Sequence, residues 1–544
     1  MSDEVLTDGC WVQFWDDDDC KGATLRFDGP KNVYDLDDYT QSDGSKEGNE
    51  PDSLETGSRS WLVVYKDDDY EGRNVGFGPN SKIDDLDEFD MGGNISSFKL
   101  FDYRPADFVE AGRGNPTAAE ADDELVNAES INNYFRTMIA AALNLIPVVG
   151  GTLGTIIGGL WPDAESDEQV WASYQNYINQ AVTGVYWQLV YSDLNAKLQS
   201  LYDSAKRYVD TPVDEHDSKV VNFNDFFGLV NDSEPYFVDE QAPERKLGFL
   251  LPYGTLRLAA LRENLQNYAY YHGSEPSEDY RKVLTDEIQA LIPKYQGLLE
   301  TARDRVVADR RRQVIIEEDG RNLYRVIDLY DGWRGEQTNE TQANYDLAER
   351  QDGVANALRT TLDLHDATAQ LWQWFDPENT TPVTAPVITY AVGPFGHYQN
   401  AETFEQAATT GPITGVTQWS GSLVDALELT VGGVPQGRVG GTGGSRQALE
   451  LAAGETIVSA KGYATGLINA LGFTTSTGRS IYGGTDGGVD HRRFEVSPLS
   501  GAATTELIGL SGYAAYGSTS TDNVKAITFH LRCSLSITPP EDAG

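Results

Sequence analysis

The segment NYFRTMIAAALNLIPVVGGTLGTIIGGLWP, residues 133–162, decides how the middle of this chain folds. From Met138 to Trp161 it holds 24 residues without a charge, in a protein of 544 residues whose formal net charge is -44. About 20 apolar residues are enough to cross a hydrocarbon core. Pro147 and five glycines nevertheless weaken a single straight helix, each Gly by ~1 kcal/mol and Pro by ~3 kcal/mol. We therefore expect two short buried helices joined near Pro147.

The glycines of this segment leave a second interpretation open. Gly150, Gly154 and Gly158 follow one another at the four-residue spacing that permits close helix contact in membranes. An apolar helix is also what the centre of a large soluble bundle requires. A bundle of that kind can bury helices at rest and release them for insertion later.

The charge of the chain excludes some classes of partner. A net charge of -44 with no basic stripe repels phosphate backbones, so we do not expect nucleic-acid binding.

Three cysteines, Cys10, Cys20 and Cys533, are too few for a disulfide framework. The first residues, MSDEVLTDGC, lack the basic and apolar regions of a secretory signal.

Residues 1–105 contain an internal repeat with a period of about 50 residues. Short alternating apolar runs between clusters of Gly, Asp, Asn and Pro predict strands and turns. The matching pairs are Trp15-x4-Cys20-x-Gly22 with Tyr65-x4-Tyr70-x-Gly72, and Leu36-Asp-Asp-Tyr39 with Leu86-Asp-Glu-Phe89. This pattern predicts a small, duplicated all-β unit.

The duplicated unit resembles a βγ-crystallin domain, which implies a Greek-key β-sandwich. In that family a six-residue loop ending in Ser/Thr and Ser contributes to calcium sites. Here the second loop is assigned to Gly92 to Ser97, with Asn94 and Ser96 as candidate Ca2+ ligands, and the first to Glu55 to Ser60, where Arg59 replaces a ligating hydroxyl. Calcium requires six to eight oxygen ligands. The alternative is that these loops and the nearby Asp runs are solvated turns.

Residues 106–124 are predicted to be a linker because Pro, Gly and small residues interrupt any periodicity. Arg104 and Arg113 lie at this junction and are candidate sites of proteolytic cleavage.

Residues 125–380 have the periodicity of helices. Apolar residues recur at three- and four-residue spacing from Trp171 to Tyr208, from Leu251 to Tyr268, from Tyr280 to Arg312 and from Leu358 to Phe375. Leu247 to Leu261 contains a single charge, Arg257. Helices that are apolar on all sides lie at the centre of a bundle, so a multilayer helical bundle is expected.

This region resembles the helical first domain of three-domain insecticidal δ-endotoxins. The matching motifs, in chain order, are Leu160-Trp161-Pro162, Trp171 with Ile178-Asn179-Gln180, Phe226-x3-Val230-Asn231-Asp232, Leu250-Leu251-Pro252-Tyr253-Gly254 and Leu358-Arg359-x-Thr361-Leu362. The resemblance implies about seven helices around a central apolar helix, and a hairpin of the fourth helix (about 220–235) and fifth helix (about 249–270) that inserts into a membrane. The candidate inserting residues are Phe249, Leu250, Leu251, Leu256, Leu258 and Leu261. The connector 231–244 is unusually acidic for such a hairpin.

Residues 385–540 turn to Gly, Thr and Ser with few charges, and their strand-length alternation predicts a second all-β domain. The motifs Gly393-Pro394-Phe395-Gly396, Asp425-Ala-Leu-Glu-Leu429, Gly440-Gly-x-Gly-Gly444 and Leu471-Gly-Phe473 resemble jacalin-like lectins, which implies a β-prism. In that family a sugar lies between the first Gly loop and a Gly-x-x-x-Asp loop before the last strand. The resemblance therefore implies a carbohydrate site formed by Gly393, Gly517, Ser518, Thr519 and Asp522.

The sugar loop of this chain departs from the family pattern. Gly517 and Asp522 are one residue too far apart, or Ser518 replaces the glycine. A carboxylate that accepts two sugar hydroxyls beside backbone amides is the physical basis of such a pocket. The alternative is a β-prism that serves only for packing or protein binding.

No pattern of catalytic residues is present, and we expect no enzyme. The six histidines are scattered and form no HExxH pair, and no G-x-S-x-G elbow or P-loop occurs.

The combined interpretation is a pore-forming toxin that binds a cell-surface glycan or glycoprotein, inserts bundle helices into the target membrane and forms a homo-oligomer there. It needs no cofactor except possible Ca2+, and would be stored in the producing cell or a crystal inclusion before acting outside it. The alternative is a non-lytic carbohydrate-binding adhesion or storage protein with a helical spacer.

Overall fold

The structure is a computed structural model. It describes residues 10–36, 39–42, 44, 51–57, 60–70, 74–78, 81–89, 91–101, 128–144, 148–161, 191–318, 323–328, 333–398, 401–486, 492–499, 501–517 and 522–538. The chain divides into two compact units, one made of residues 1–126 with 331–333 and the other of the remainder.

The N-terminal unit consists of two four-stranded antiparallel sheets around one apolar core. The strand orders are β2-β1-β4-β7 and β3-β8-β5-β6, so β3 and β7 each pair in the sheet built mainly by the other half. This exchange is the Greek-key arrangement that the resemblance to βγ-crystallins implies. The strands are β1 Trp11–Asp17, β2 Lys21–Asp28, β3 Lys31–Val33, β4 Ser53–Thr56, β5 Trp61–Tyr65, β6 Asn74–Phe77, β7 Lys82–Ile83 and β8 Ser97–Phe101.

The predicted internal repeat is present in the hydrogen bonding. Ser53 Oγ accepts from the Cys20 amide at 3.0 Å, and Ser97 Oγ accepts from the Tyr70 amide at 3.0 Å. Cys20 and Tyr70 both adopt positive φ, at 55° and 65°. The two halves therefore fold the same corner with the same serine, and that serine sets their alignment.

The middle of the chain forms a helical bundle with one continuous apolar core. Its helices are α1 Ala128–Leu143, α2 Gly151–Leu160, α3 Tyr191–Asp210, α4 His216–Asp232, α5 Glu234–Phe237, α6 Leu247–Gln266, α7 Tyr268–His272, α8 Glu278–Arg312 and α9 Glu340–Ala367, followed by a 3-10 helix at Thr368–Phe375. The uncharged segment forms α1 and α2 as two separate helices, as expected. Pro147 and residues 162–190, which hold most of the helix predicted from Trp171, lie outside the described residues.

Helix α6 is the central helix of the bundle. Eighteen of its 20 residues are buried, and only Arg262 and Gln266 are partly exposed. Gly254 allows the Trp372 ring to pack closely, because a β-carbon at Gly254 would lie 3.0 Å from that ring. The fourth and fifth helices predicted by resemblance correspond to α4 and α6, with boundaries shifted by a few residues. None of the helices in the described residues is long and apolar enough to span a membrane.

The helical middle region also contains strands at 314–337 that the sequence analysis did not predict. A three-stranded antiparallel sheet, with strand order β11-β10-β9, lies there between α8 and α9. Its strands are β9 Val314–Glu318, β10 Tyr324–Asp328 and β11 Arg334–Gln337. The β-branched residues that begin β9 and occupy the centre of β10 favour strands, because they pack well on a pleated surface.

A buried ion pair joins this sheet to the bundle. Asp328, which is fully buried, accepts two hydrogen bonds from the Arg310 guanidinium, both at 2.8 Å. Arg350 Nε donates a third bond to the same carboxylate at 2.9 Å. One carboxylate on β10 therefore holds α8 and α9 together.

The C-terminal part is a prism of three antiparallel sheets around a shared apolar core. The sheet orders are β12-β24-β23-β13, β16-β15-β14-β18 with β17 on β15, and β21-β20-β19-β22. The strands are β12 Val387–Gly396, β13 Glu402–Ala407, β14 Ile413–Ser420, β15 Val424–Val431, β16 Val434–Pro435, β17 Val439–Gly440, β18 Ser445–Glu450, β19 Ile457–Ala464, β20 Ile468–Thr475, β21 Ser480–Gly484, β22 Arg492–Val496, β23 Ala502–Ala514 and β24 Val524–Leu535. The predicted β-prism is confirmed.

Replacing Asp328 by Asn tests the buried ion pair. We expect Asp328→Asn to destabilise the protein by ~3 kcal/mol, because Arg310 then stays buried without its counter-charge. Thermal unfolding followed by calorimetry should show the main transition shifted to lower temperature. The control is Glu336→Gln, which breaks the exposed Arg325–Glu336 pair of 2.9 Å in the same sheet and should cost less than ~1 kcal/mol. Equal shifts for both variants would contradict the role of Asp328.

Candidate functional site

The predicted sugar-binding carboxylate lies at the end of the prism, directly over a glycine. Gly517 adopts φ +153°, and a β-carbon on it would lie 2.3 Å from Asp522 Oδ2. Only glycine leaves room for the carboxylate in this position. The structure therefore brings Gly517 and Asp522 together, as predicted, while Ser518 and Thr519 lie outside the described residues.

A second glycine turn supports the same carboxylate from the neighbouring sheet. The Thr442 amide donates to the Gly517 carbonyl at 2.9 Å. A β-carbon on Gly441 would lie 2.0 Å from the Asp522 carbonyl oxygen. Residues 440–442 thus belong to the site although the sequence reasoning did not include them. Their glycine cluster was the signal that could have identified them.

Lys525 supplies a buried positive charge beside this turn. Its side chain lies at the start of β24 and is 7% exposed. Burial lowers the pKa of the Lys525 ammonium, and the Asp522 carboxylate acts in the opposite direction. The ammonium of Lys525 and the carboxylate of Asp522 thus interact electrostatically at this turn.

Gly393 is the remaining described member of the predicted sugar site. It lies within β12, where a β-carbon would be 2.9 Å from the Ile527 carbonyl oxygen. Gly396 ends the strand and pairs with Ala526. A β-carbon on Gly396 would lie 2.1 Å from the Lys525 carbonyl oxygen. We call residues 393–398 the first Gly segment. The end of this segment, from Gly396 onward, is therefore the part that lies nearest to Asp522.

Helix α9 of the bundle binds this first Gly segment. Glu349 accepts from the Tyr398 amide at 2.9 Å, and Asp352 accepts from the Tyr398 hydroxyl at 2.9 Å. The Asn356 amide donates to the Gly393 carbonyl at 3.1 Å. Side chains of the last helix of the bundle are thus hydrogen-bonded to both backbone and side-chain groups of a prism loop.

His397 adds a titratable contact to the same interface. Its Nδ1 lies 3.0 Å and 3.1 Å from the two carboxylate oxygens of Glu349. The hydrogen bond to Glu349 raises the pKa of His397, while partial burial acts against it. The protonated imidazole therefore bonds α9 to the prism more strongly than the neutral ring does.

The six residues predicted to insert into a membrane all lie on α6. Phe249, Leu250, Leu251, Leu256, Leu258 and Leu261 are each at most 1% exposed. The helix also carries buried polar groups with partners. Arg257 bonds Asn231 of α4 and Glu287 of α8, and Glu263 accepts from the Gly150 amide at 2.8 Å.

The acidic connector before α6 is tied to basic residues of α8. Lys294 lies 2.9 Å from Glu234 and 2.7 Å from Glu240. Arg305 lies 2.9 Å from Glu244, whose side chain is 7% exposed. These ion pairs partly neutralise the connector and hold it against the bundle.

The calcium candidates lie in a loop of the N-terminal unit. Asn94 is exposed and its side-chain amide donates to the Gly92 carbonyl, while the Ser96 amide donates to the Tyr65 carbonyl at 3.0 Å. Among the described residues no group of three His, Cys, Asp or Glu side chains is arranged to hold a metal ion. Arg104 and Arg113, the cleavage candidates, lie outside the described residues.

The first of the two predicted calcium loops was placed wrongly. Ser53, not Ser60, is the structural equivalent of Ser97, because Ser53 Oγ donates to the Asp17 carbonyl as Ser97 Oγ donates to the Asp67 carbonyl. Ser60 instead bonds Trp11. The first loop therefore ends at Asp52 and Ser53, and Arg59 does not belong to it. The sequence spacing misled because the two repeats differ in length.

Comparison with known proteins agrees with this architecture. The family model described as "Jacalin-like lectin domain" matches residues 392–530, so the prism is a jacalin-like lectin domain. The crystal structure of Bacillus thuringiensis insecticidal crystal protein Cry7Ca1 is similar over 76% of this chain and 76% of its own, with a TM-score of 0.50 and 11% sequence identity. The chain thus shares the fold of a Cry δ-endotoxin over three quarters of its length.

Two further solved structures are similar in part. PirB matches 75% of this chain and 94% of its own at 16% identity, with a TM-score of 0.45. Wild-type Malaysian banana lectin matches 26% of this chain and 97% of its own at 26% identity, with a TM-score of 0.21. A search of curated proteins returned no match.

The His397–Glu349 contact predicts a pH dependence. Because the folded-state pKa of His397 lies above its ordinary value of 6.5, the contact stabilises fully below that value and is lost as the pH rises through the folded pKa. Melting temperatures of the protein and of His397→Gln should differ most near pH ~5.5 and converge near pH ~9.

The partner variant provides the control. In a Glu349→Gln background the His397→Gln substitution should change the melting temperature little at any pH, since the two groups act as one pair. Two results would show that another group is responsible. One is a difference in melting temperature that does not change with pH, and the other is an effect of His397→Gln that is as large in the Glu349→Gln background as in the parent.

Proposed function

We propose that this chain is a pore-forming toxin that binds a glycan on the target cell through its lectin domain and inserts helices of the bundle into the membrane. Helix α6 carries the proposal. A helix of 20 residues with 18 buried in an apolar core is soluble only while the surrounding helices cover it. Once uncovered, its apolar surface favours lipid over water.

The polar residues of α6 bear on how it would lie in a membrane. Arg257 and Asn264 are seven residues apart, so they project from one face of the helix, while Arg262 and Glu263 project from other faces near its end. Charged side chains within membranes face a water-filled cavity or a partner. A pore formed by several copies, with the face of Arg257 and Asn264 toward the lumen, provides such a cavity. A homo-oligomer follows because one hairpin cannot enclose a channel.

The contact between α9 and the prism supports communication between binding and insertion. Glu349, Asp352 and Asn356 are spaced along one helix of the bundle and bond the first Gly segment of the lectin domain. A displacement of that segment on glycan binding would pull directly on the bundle. A spacer that only separates domains needs no such set of bonds.

The N-terminal unit would be a removable cap or a second binding module under this proposal. Cleavage at Arg104 or Arg113 would separate it from the bundle, and Ca2+ bound near Asn94 and Ser96 would reduce its negative charge. Stored protein would then act outside the producing cell after processing. None of these roles requires catalysis.

The rival function is a non-lytic lectin whose bundle is only a spacer. Release of a trapped dye from liposomes that display glycans separates the two. We expect dye release from the purified, protease-treated protein, and none from liposomes without glycan at the same concentration. Glycan binding without dye release at any concentration would favour the rival.

Loosening the connector should accelerate insertion. Lys294→Gln removes the cation shared by Glu234 and Glu240, so the connector is held less tightly and α6 is uncovered more readily. We expect faster dye release, by about fivefold for a loss of ~1 kcal/mol. The matched control is Lys282→Gln on the same helix, which breaks only an exposed pair with Asp286 at 2.8 Å. Slower or equal release for Lys294→Gln would contradict the role of the connector.

Removing the loop carboxylate should weaken glycan binding. Asp522→Asn keeps the size of the side chain but loses the charge that strengthens bonds from sugar hydroxyls, so affinity should fall about tenfold or more. A glycan array identifies the sugar, and calorimetric titration then measures the loss. The control is Glu506→Gln. The Glu506 carboxylate lies on β23, 2.6 Å from Arg532 on β24. Unchanged affinity for Asp522→Asn would place the sugar elsewhere.

A further inference from the structure

The outer face of the sheet β21-β20-β19-β22 carries a hollow that is separate from the loops at the end of the prism. The cross-strand register places Glu495, Lys461, Gly472 and Tyr482 in one row across all four strands. Gly472 is the only member of that row without a side chain. The row therefore has a gap in the middle of the sheet.

Tyr482 lies over this gap. A β-carbon on Gly472 would be 2.4 Å from Cδ2 and 3.3 Å from Cε2 of Tyr482, so the ring covers the glycine. The Tyr482 hydroxyl donates to the Asp486 carboxylate, which fixes the far end of the ring. Tyr482 remains partly exposed. The result is an anchored aromatic ring with glycine beneath it.

Two cations and a second tyrosine border the ring. Because side chains two residues apart share a face, Tyr463 stands beside Lys461, and Arg493 is its cross-strand partner. Lys461 and Arg493 are both exposed. On the opposite side the hydroxyl residues Thr474 and Ser480 face each other across β20 and β21.

These residues enclose a cavity of about 300 Å³. That volume is at the lower end of the range for small-molecule sites, so it admits one sugar ring rather than a long chain. The lining combines an aromatic surface, hydroxyl groups, one carboxylate and two cations. Aromatic rings suit the apolar face of a pyranose, and a guanidinium suits a carboxylate because its donors form a fork.

The sign of the charge sets the preference of this hollow. Asp486 is engaged by the Tyr482 hydroxyl, and Lys461 and Arg493 line the same cavity. Arg493 shares its charge with Glu495 at 3.1 Å, in a pair that is more than half exposed on both sides. Exposed pairs of this kind exchange partners at little cost. In a chain of net charge -44, two adjacent cations at a cavity favour an anionic ligand.

We propose that this hollow is a second carbohydrate site, which takes a single acidic sugar residue. The ring stacks on Tyr482, and its carboxylate is bound by Arg493 and Lys461. The site is distinct from the loop site at Asp522 and does not require that site to bind sugar. It would let the prism bind acidic glycans on a face that the loops do not reach.

Titration of the full chain with methyl glucuronide, against methyl glucoside as the neutral probe, tests the proposal. Both titrations are made in an Asp522→Asn background by ligand-observed NMR, so that the contribution of the loop site is reduced. We expect the glucuronide to bind at least tenfold more tightly than the glucoside, and its affinity to fall as salt is raised. Equal affinities would overturn the acidic specificity, and no binding would overturn the site.

Single substitutions locate the binding. Lys461→Gln and Arg493→Gln should each weaken the glucuronide about fivefold, and both residues are exposed, so the fold is not at risk. Glu495→Gln releases Arg493 from its internal partner and should tighten binding about twofold to fivefold. Arg532→Gln, an arginine on another sheet, is the matched control and should change nothing. A glucuronide that binds Lys461→Gln and Arg493→Gln as well as the parent does not occupy this hollow.

Discussion

The whole arrangement depends on burying α6, a helix that water does not tolerate when it is exposed. Each fully buried leucine contributes ~2 kcal/mol of transfer free energy, and α6 presents such residues on every side. One neighbouring helix could cover only one face. The chain therefore needs a shell of helices, with the 3-10 segment that carries Trp372, to surround it.

The few polar groups inside this shell determine how it is held together. Arg257 links α4, α6 and α8, while Glu263 links α6 to the turn before α2 through the Gly150 amide. A buried polar group without a partner costs free energy, so these bonds select one packing among the many that an apolar core would allow. Under the proposed function they are also the bonds that must break before α6 leaves the bundle.

The lectin domain is the rigid part of this arrangement, whereas the bundle is the part that is proposed to move. The end loops of the lectin domain are set by close approaches at Gly441 and Gly396, to backbone atoms, and at Gly517, to the Asp522 carboxylate, where a side chain would not fit. Because α9 is bonded to one of these loops through Glu349, the bundle and the prism meet at a defined point. The proposed acidic-sugar hollow lies on another sheet and leaves that joint untouched.

Sequence alone was sufficient for the order of folds along the chain. The apolar run broken at Pro147, the nearly uncharged α6 and the glycine motifs of the prism are local patterns, and local patterns reflect burial and turn geometry directly. The carboxylate at Asp522 was named in a different way, from the resemblance of its loop to that of jacalin-like lectins. The strands at 314–337 were missed because short apolar runs do not separate helix from strand, and the surrounding helical context was misleading.

The tertiary structure decided which distant residues meet. No spacing indicates that Asn356 reaches Gly393, that Lys294 pairs with the connector, or that the Tyr482 ring lies over Gly472. The alignment of the crystallin-like repeats also needed coordinates, since Ser53 corresponds to Ser97 through its hydrogen bonds and not through a fixed period. Such contacts depend on packing between elements far apart in the chain, and packing depends on three-dimensional shape, which a one-dimensional pattern does not contain.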